Sequence, residues 1–186
     1  KKIAGEIMLA KSFCYAQGAY GAESYIKGFS GYSLELLIVY YGSFLKFIKD
    51  IGKKKFIDIG KKFKNEKEIE RELNSSKLNS PIILIDPTQK YRNVLSCLSE
   101  ETFQKFLKVK GEFLKHPSSE FFIKKEINEE QLRNEARKKG ETFIKINFST
   151  EKQEGDIAGT KMKKYFNFII DELKRKEQEV KKQNLN

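Results

Sequence analysis

The sequence predicts an α+β fold in which helices dominate. Apolar residues recur at helical spacing in several long segments, whereas runs with the composition of strands are short and lie at 56–59, 82–85 and 142–148. Hydrophobic residues make up 39% of the 186 residues and aromatic residues 12%, which is enough for a packed core. The length suits one substantial domain or two small ones.

The first two helices are predicted from apolar spacing and from the residues at their ends. Residues 3–16 carry apolar side chains on one side and stop before Gly18. A second helix over 31–41 begins after Ser30, a favourable N-cap, and ends at Gly42. This helix is apolar on nearly every side, which predicts that it is buried within a bundle.

Residues 43–87 are predicted to contain a third helix and two short strands. Ser43 can cap a helix whose apolar residues follow at helical spacing, and 56–59 can form a short strand. The polar, charge-rich segment 60–80 is predicted to be a variable surface insertion. The apolar run 82–85 is then a buried strand that ends at the Asp86-Pro87 turn.

The rest of the chain is predicted to form three further helices and one strand. A helix that ends near Lys115 starts after Ser99, where acidic residues favour the positive helix end. Asn128 and Gly140 bound the next helix, and alternating apolar residues predict a strand over 142–148. The last helix has a continuous apolar stripe, made by Met162, Tyr165, Phe166, Ile169, Ile170 and Leu173.

Charge and cysteine usage narrow the classes of function. The net charge of +11 predicts a polyanionic partner, with nucleic acid first and an anionic membrane surface second. Cys14, Cys97 and His116 lack the spacing of metal ligands, and both cysteines are expected to be reduced. No apolar run approaches the roughly 20 residues that cross a bilayer, so we expect a soluble, cytoplasmic protein.

Two local features favour binding of phosphate groups. Gly28 and Gly31 bracket a predicted turn. Both are expected to adopt positive φ, which glycine does without steric cost. This turn leads into a helix N-terminus, whose unpaired N–H groups can hold a phosphate, although most such turns are purely structural. From Lys46 to Lys64 there are eight lysines against two aspartates. That patch suits a nucleic-acid backbone, and a solvated lysine-rich surface explains it equally well.

Several motifs follow one another in the order of a known family. They are Tyr20-Gly21-Ala22-Glu23, Lys27-Gly28-Phe29-Ser30-Gly31-Tyr32, Pro81-Ile82-Ile83-Leu84-Ile85-Asp86-Pro87, Lys90-Tyr91-Arg92-Asn93-Val94 and Pro117-Ser118-Ser119-Glu120-Phe121-Phe122. They resemble the central region of the archaeal-type (class I) CCA-adding tRNA nucleotidyltransferases, and the similarity continues to about Leu173. One departure is that Ala158–Lys164 contains no Tyr-Pro-Gln, which the family usually has before its long helix.

The resemblance implies two domains. Residues 1–118 would form the central domain, which binds nucleotide and tRNA. Its fold would be the helical substrate-binding type of poly(A) polymerases and oligoadenylate synthetases, with short strands. Residues 119–186 would form the first, incomplete part of a ferredoxin-like body domain, and its tail, 174–186, is too polar to pack.

The resemblance also implies the reaction. Such enzymes transfer nucleotidyl groups from CTP and ATP to the 3′ end of tRNA and release pyrophosphate, and a head domain binds Mg²⁺ through acidic residues after a Gly-Ser turn. Gly42-Ser43 has no such acidic pair after it, so we expect no catalytic or metal-binding residue in this chain. The chain is expected to be a fragment or one part of a split enzyme, inactive without an upstream head domain or subunit. A homodimer is left open.

Residue by residue, the resemblance places Lys11 and Tyr20 at the triphosphate of the nucleotide and Arg92 at its base. An ammonium neutralises phosphate charge, a phenol donates one directed hydrogen bond, and a guanidinium can donate two parallel ones to a base edge. The structural alternatives are a solvated Lys11, a packed Tyr20, and an Arg92 paired with Asp86 or a helix carboxylate. The candidates for contact with the tRNA backbone are Lys53, Lys54, Lys55, Lys61 and Lys62.

Two other functions stay open. One is a non-catalytic, basic RNA-binding or scaffold module that shares the helical domain. The other is part of a different template-independent nucleotidyltransferase, of the poly(A) or oligoadenylate type. Tyr32 and Glu35 also match family positions, and we expect them to serve packing and capping.

Overall fold

The computed structural model describes residues 2–125, 128–147, 149, 151 and 153–176. The chain divides into two compact units, residues 1–125 and 126–186, and each is described by itself. The predicted mostly helical α+β character is confirmed. The elements are α1 (Lys2–Ala16), α2 (Gly31–Tyr41), α3 (Phe44–Asp50), β1 (Phe56–Asp58), α4 (Glu66–Glu72), β2 (Ile83–Ile85), α5 (Glu100–Lys115), α6 (Glu129–Lys139) and α7 (Gly155–Arg175), with short 3₁₀ turns at Ser75–Lys77 and Ser119–Phe122.

The first unit contains a small parallel sheet. β1 and β2 pair in register, with Phe56 opposite Ile83. An antiparallel bridge joins Ile85 to Asn93, so the chain returns along the other edge of β2. In that return the Asp86 N–H donates to the carbonyl of Arg92 at 3.0 Å. The end of β2 therefore lies directly beside the segment that carries Arg92.

Aromatic packing forms the main core of the first unit. Phe13, Phe29, Phe47 and Phe106 are fully buried. The rings of Phe29 and Phe106 meet edge to face with centroids 5.0 Å apart, and those of Phe13 and Phe106 are 6.1 Å apart. Such edge-to-face pairs add stability beyond the apolar area that they bury. This core joins α1, α2, α3 and α5 to one face of the sheet, through Ile57 and Leu84.

The other face of the sheet is covered by the segment predicted as a variable surface insertion, 60–80. Phe63 from that segment, and Ile69 and Leu73 at α4, pack with Phe56, Ile83 and Ile85 in a second buried cluster. Alternate residues of a strand point to opposite faces, so each short strand serves both clusters. The segment is therefore polar only on its outer side, and its variability stays a prediction.

The prediction that α2 is buried within a bundle is correct for one face of the helix and wrong for the other. Leu34, Leu37 and Ile38 are buried, whereas Val39 is 56% exposed and Tyr40 is 37% exposed. The reason is that α2 packs through one face against α1 and α3 and presents the other at the surface of the unit. Its predicted ends are confirmed: the Ser30 hydroxyl accepts from the Ser33 N–H, and Gly42 has a φ of 82°.

The second unit contains α6 and α7. The predicted caps of α6 are confirmed, since the Asn128 side chain accepts from the Gln131 N–H and Gly140 is left-handed with a φ of 65°. The strand predicted over 142–148 is wrong for 142–147, which form no strand, and Phe148 lies outside the described residues. A strand needs a hydrogen-bonded neighbour, and the strands of the described residues, β1 and β2, both belong to the first unit.

The final helix, α7, carries the predicted apolar stripe, of which Ile170 is buried. It runs to Arg175, within the tail predicted to be too polar to pack, and residues 177–186 lie outside the described ones. The ferredoxin-like arrangement stays a prediction. The structure places residues 119–125 in the first unit, where the ring of Phe122 lies 5.6 Å from that of Phe13. The functional division at 118 also stays a prediction.

None of the described helices is both long and apolar enough to cross a membrane. Cys14 is a fully buried free thiol, and burial raises its pKa. Cys97 is exposed and also free.

Candidate nucleotide-binding site

The first turn of α2 is where two of the three predicted nucleotide-binding residues meet. A Cβ atom built on Gly31 would lie 3.1 Å from the Tyr20 hydroxyl oxygen and 3.7 Å from the Lys11 ammonium nitrogen. The first backbone N–H groups of a helix have no partner within the helix. An ammonium, a phenol and a positive helix end therefore converge on one small surface, which suits an anion.

Lys11 reaches this surface from α1 through an ion pair with Glu35 of α2. The Lys11 nitrogen lies 2.6 Å from a Glu35 oxygen, and both side chains are partly exposed. The hydrogen bond to Glu35 raises the pKa of Lys11, so the ammonium is charged at neutral pH. Lys11 is therefore not an ordinary solvated lysine, and Glu35 contacts Lys11 where we expected it to pack or cap.

Tyr20 is placed by the loop that precedes α2. Tyr20 and Phe29 form a parallel bridge, and the Phe29 N–H donates to the Ala19 carbonyl at 2.8 Å. A Cβ on Gly28 would lie 2.2 Å from the same carbonyl oxygen, so a side chain there would break the bridge. The prediction of positive φ at Gly28 and Gly31 is wrong. Glycine is required at position 28 by the Ala19 carbonyl, whereas a Cβ at position 31 would only crowd the Tyr20 hydroxyl at 3.1 Å.

Arg92 lies near the same helix turn, beside Tyr32. Its guanidinium donates to an Asp86 oxygen at 3.2 Å and lies 5.8 Å from the centre of the Tyr32 ring. The Asp86 side chain is fully buried, whereas that of Arg92 is 55% exposed. The structural alternative, an ion pair with Asp86, is thus present, and much of the guanidinium remains accessible.

A shallow cavity of about 460 Å³, which we did not predict, adjoins Arg92. It is lined by Lys77, Gln89, Lys90, Tyr91 and Arg92. Lys90 is held in place there, because its ammonium pairs with Glu72 at 2.8 Å and lies 4.5 Å from the centre of the Phe63 ring. The only signal in the sequence was that Lys90 and Tyr91 belong to the same motif as Arg92.

The five candidate lysines for tRNA contact are all exposed. Lys53 pairs with Asp50 at 2.6 Å, and the Lys55 ammonium lies 5.5 Å from the centre of the Phe56 ring. The others, Lys54, Lys61 and Lys62, occupy the loops before and after β1. The arrangement offers positive charge to a polyanion and is equally compatible with a solvated face.

The Mg²⁺ that the sequence resemblance implies would be bound by a head domain, so no metal site is expected in the part of the chain that the structure describes. Within those residues, no group of three or more histidine, cysteine, aspartate or glutamate side chains could hold an ion.

Comparison with known proteins identifies relatives of the whole first unit. Residues 5–123 match the family model for the second domain of tRNA nucleotidyltransferases. The CCA-adding enzyme of Methanocaldococcus jannaschii is 40% identical over 127 residues, which is 66% of this chain and 28% of that protein. The enzyme of Nanoarchaeum equitans is 36% identical over 87% of this chain and 38% of its own length. The CCA-adding enzyme of Saccharolobus shibatae is 32% identical over 91% of this chain and 38% of its own length. The chain thus spans roughly a third of the length of each.

Proposed function

Because this chain belongs to the tRNA nucleotidyltransferase family, whose second domain it matches, we propose that it forms the nucleotide-holding part of a CCA-adding enzyme. The observation that carries this proposal is the convergence of Lys11, Tyr20 and the first turn of α2. Lys11 and Tyr20 would bind the triphosphate of CTP or ATP, aided by the N–H groups of that turn. Arg92, beside Tyr32 of the same turn, would donate hydrogen bonds to the base.

The proposed reaction extends the 3′ end of tRNA by one nucleotide at a time. The 3′ oxygen of tRNA bonds to the α-phosphorus, the bond from that phosphorus to the β-phosphate oxygen breaks, and pyrophosphate leaves. Binding the triphosphate and the base fixes the α-phosphorus relative to the attacking oxygen, which is the entropic part of catalysis. We derive no metal step from the described residues. Mg²⁺ and the catalytic carboxylates would belong to a head domain or subunit.

Finer assignments belong to the same proposal. The helical first unit would have the fold of the poly(A) polymerase and oligoadenylate synthetase substrate-binding domain, and the second unit would be part of a ferredoxin-like body domain. The enzyme would act in the cytoplasm on tRNA, and a homodimer is compatible with the proposal. The mostly helical structure with a small parallel sheet supports the first of these assignments.

Incorporation of radiolabelled CTP and ATP into tRNA that lacks its CCA end tests the proposal. The chain is assayed alone and together with the product of the coding sequence directly upstream, which we call the reconstituted mixture. We expect incorporation in the mixture and none with the chain alone. If neither incorporates nucleotide and the chain still binds tRNA, the chain is an RNA-binding module and the catalytic proposal is wrong.

A second candidate function, the non-catalytic RNA-binding module, is favoured by the exposed lysines around β1. The third, a poly(A) or oligoadenylate polymerase, shares the nucleotide site and differs in its product. Sequencing the extended RNA distinguishes them, since CCA ends support our proposal and homopolymer tails contradict it.

Replacing Lys54, Lys61 and Lys62 together by glutamine is expected to weaken tRNA binding by the chain. Each phosphate contact that is lost reduces the magnitude of the slope of log K against log salt by about 0.7 to 0.9, so loss of all three reduces it by roughly 2 to 3. Filter binding over a series of potassium chloride concentrations measures the slope. The matched control replaces Lys105, Lys108 and Lys115, which are exposed on α5. An equal loss in both triple variants would show that only the net charge matters.

A further inference from the structure

Asp86 is a fully buried carboxylate at the end of β2, next to Arg92. One of its oxygens accepts hydrogen bonds from the Thr88 N–H at 2.8 Å and the Thr88 hydroxyl at 2.7 Å. The same oxygen accepts from the Tyr32 hydroxyl at 3.3 Å, and the other accepts from Arg92 at 3.2 Å. A buried charge is costly unless it is hydrogen-bonded and paired, and here both oxygens are satisfied.

Tyr32 connects this carboxylate to the first turn of α2. Its hydroxyl donates to Asp86, and its ring lies beneath the Arg92 guanidinium at 5.8 Å, within the range of a cation–π contact. Tyr32 directly follows Gly31, the residue against which Lys11 and Tyr20 pack. Two adjacent residues of one helix turn thus adjoin the two groups of candidates, Gly31 those for the triphosphate and Tyr32 the one for the base.

We propose that Asp86 and Tyr32 are positioning residues that hold the Arg92 guanidinium in the orientation in which it reads the base. This inference rests on the proposed function, in which Arg92 contacts the base of CTP or ATP. Asp86 fixes one end of the guanidinium by a hydrogen bond, and the Tyr32 ring fixes its plane. The exposed edge of the guanidinium is left for the base.

The protonation state of Asp86 supports this role. Burial is the largest single influence and disfavours its charge. The hydrogen bonds from Thr88 and Tyr32 and the positive charge of Arg92 together outweigh burial, so the pKa of Asp86 lies below its usual value. Burial, followed by the nearby Asp86 charge, raises the pKa of Tyr32, so its hydroxyl remains a donor at neutral pH. Acceptor and donor therefore keep their roles across the neutral range.

The positions of Asp86 and Tyr32 explain why these residues orient the Arg92 guanidinium and do not merely neutralise its charge. An arginine on the surface loses side-chain freedom when it is fixed, and an exposed ion pair alone fixes it poorly. Here the partner carboxylate is buried and is itself held by Thr88. A rigid partner from β2 and an aromatic ring from α2 restrict the guanidinium from two directions.

Nucleotide selectivity in the reconstituted mixture tests the inference. We expect Asp86→Asn and Tyr32→Leu each to lower the ratio of kcat/KM for the correct over the wrong nucleotide by about tenfold, as a displaced reading group would. Tyr32→Phe, which keeps the ring and loses one hydrogen bond, should have a smaller effect. The matched control is Thr102→Val on α5, which removes a hydrogen bond to the Ile26 carbonyl and should leave selectivity unchanged. Combining Asp86→Asn with Arg92→Lys should add nothing to the effect of Arg92→Lys alone.

A second readout uses the 186-residue chain without any activity. The ¹⁵N order parameter of the Arg92 Nε should be high in the wild type and in Thr102→Val, and it should fall in Asp86→Asn and Tyr32→Leu. Unchanged order in both variants would overturn the inference, whether or not the mixture is active. If Arg92→Lys itself leaves selectivity unchanged, the proposed reading of the base by Arg92 is wrong, while the order parameters still decide whether Asp86 and Tyr32 position it. If Asp86→Asn does not fold, Tyr32→Leu decides.

Discussion

Lys11→Ala is expected to raise the apparent KM for both CTP and ATP by about 10- to 100-fold in the reconstituted mixture. A hydrogen bond to a charged group contributes about 1.5 to 3 kcal/mol, and each 1.4 kcal/mol corresponds to a factor of ten. Lys11 would contact phosphates that carry full charge before and during the reaction, so kcat should change less than KM. Steady-state incorporation at varied nucleotide concentration measures both quantities.

The ion pair with Glu35 provides the control for this prediction. Glu35→Gln breaks the ion pair and keeps the lysine, whereas Lys11→Ala removes both. A partly exposed ion pair contributes little to stability, about 0 to 1 kcal/mol, so Glu35→Gln should leave the KM unchanged or lower it. If Glu35→Gln raises the KM as much as Lys11→Ala does, Lys11 acts by joining α1 to α2 and not by binding phosphate. Lys2→Ala, at the exposed start of the same helix, should have no effect.

The features of the fold that the sequence predicted well are local ones. The N-caps Ser30, Ser43, Ser99 and Asn128 each accept a hydrogen bond from a backbone N–H within the following turn. Such a bond depends on residues three apart in the chain, and short-range spacing is visible in a sequence. The strands at 56–58 and 83–85 were likewise visible as apolar runs between polar segments.

The features that the sequence did not predict depend on distant contacts. The exposed face of α2 follows from which elements pack against it, and the hydrophobic pattern of α2 alone cannot specify that. The requirement for glycine at position 28 comes from the Ala19 carbonyl across a bridge. The unpaired segment 142–147 shows the same limit, because alternation of apolar residues does not supply a neighbouring strand.

The sequence indicated which residues belong to the candidate site, but not which contacts hold them. Lys11, Tyr20 and Arg92 were identified by resemblance, and their roles at the nucleotide stay predictions. Two ion pairs hold these residues, Glu35 with Lys11 and Asp86 with Arg92. The sequence analysis did not predict the first and considered the second only as one alternative. They span 24 residues in the first case and 6 in the second. Only the structure shows that the first turn of α2 adjoins both Lys11 and Tyr20 on the one hand and Arg92 on the other.

Asn93→Leu is expected to destabilise the first unit by about 3 kcal/mol or more, a large part of the stability of a typical domain. The Asn93 oxygen accepts from the N–H groups of Leu84 and Leu95 at 3.0 and 2.9 Å. Its nitrogen donates to the Lys77 carbonyl and the Ser80 hydroxyl at 2.8 and 2.7 Å. Leucine has a similar size but leaves these groups without Asn93 as a partner, and each buried unsatisfied group costs about 1 to 3 kcal/mol.

Urea denaturation followed by circular dichroism measures this loss, and amide exchange at Leu84 localises it to the first unit. The matched control is Asn65→Ala, because Asn65 makes its hydrogen bond to the Glu68 N–H at an exposed N-cap and should lose only about 1 kcal/mol. Equal losses in the two variants would show that Asn93 acts as an ordinary turn residue. A loss of stability that is larger in Asn93→Leu, with faster amide exchange at Leu84, would mean that Asn93 holds the segment that carries Arg92 against β2. The orientation of the guanidinium would then depend on the core through two adjacent residues, Asn93 fixing the backbone and Asp86 the side chain.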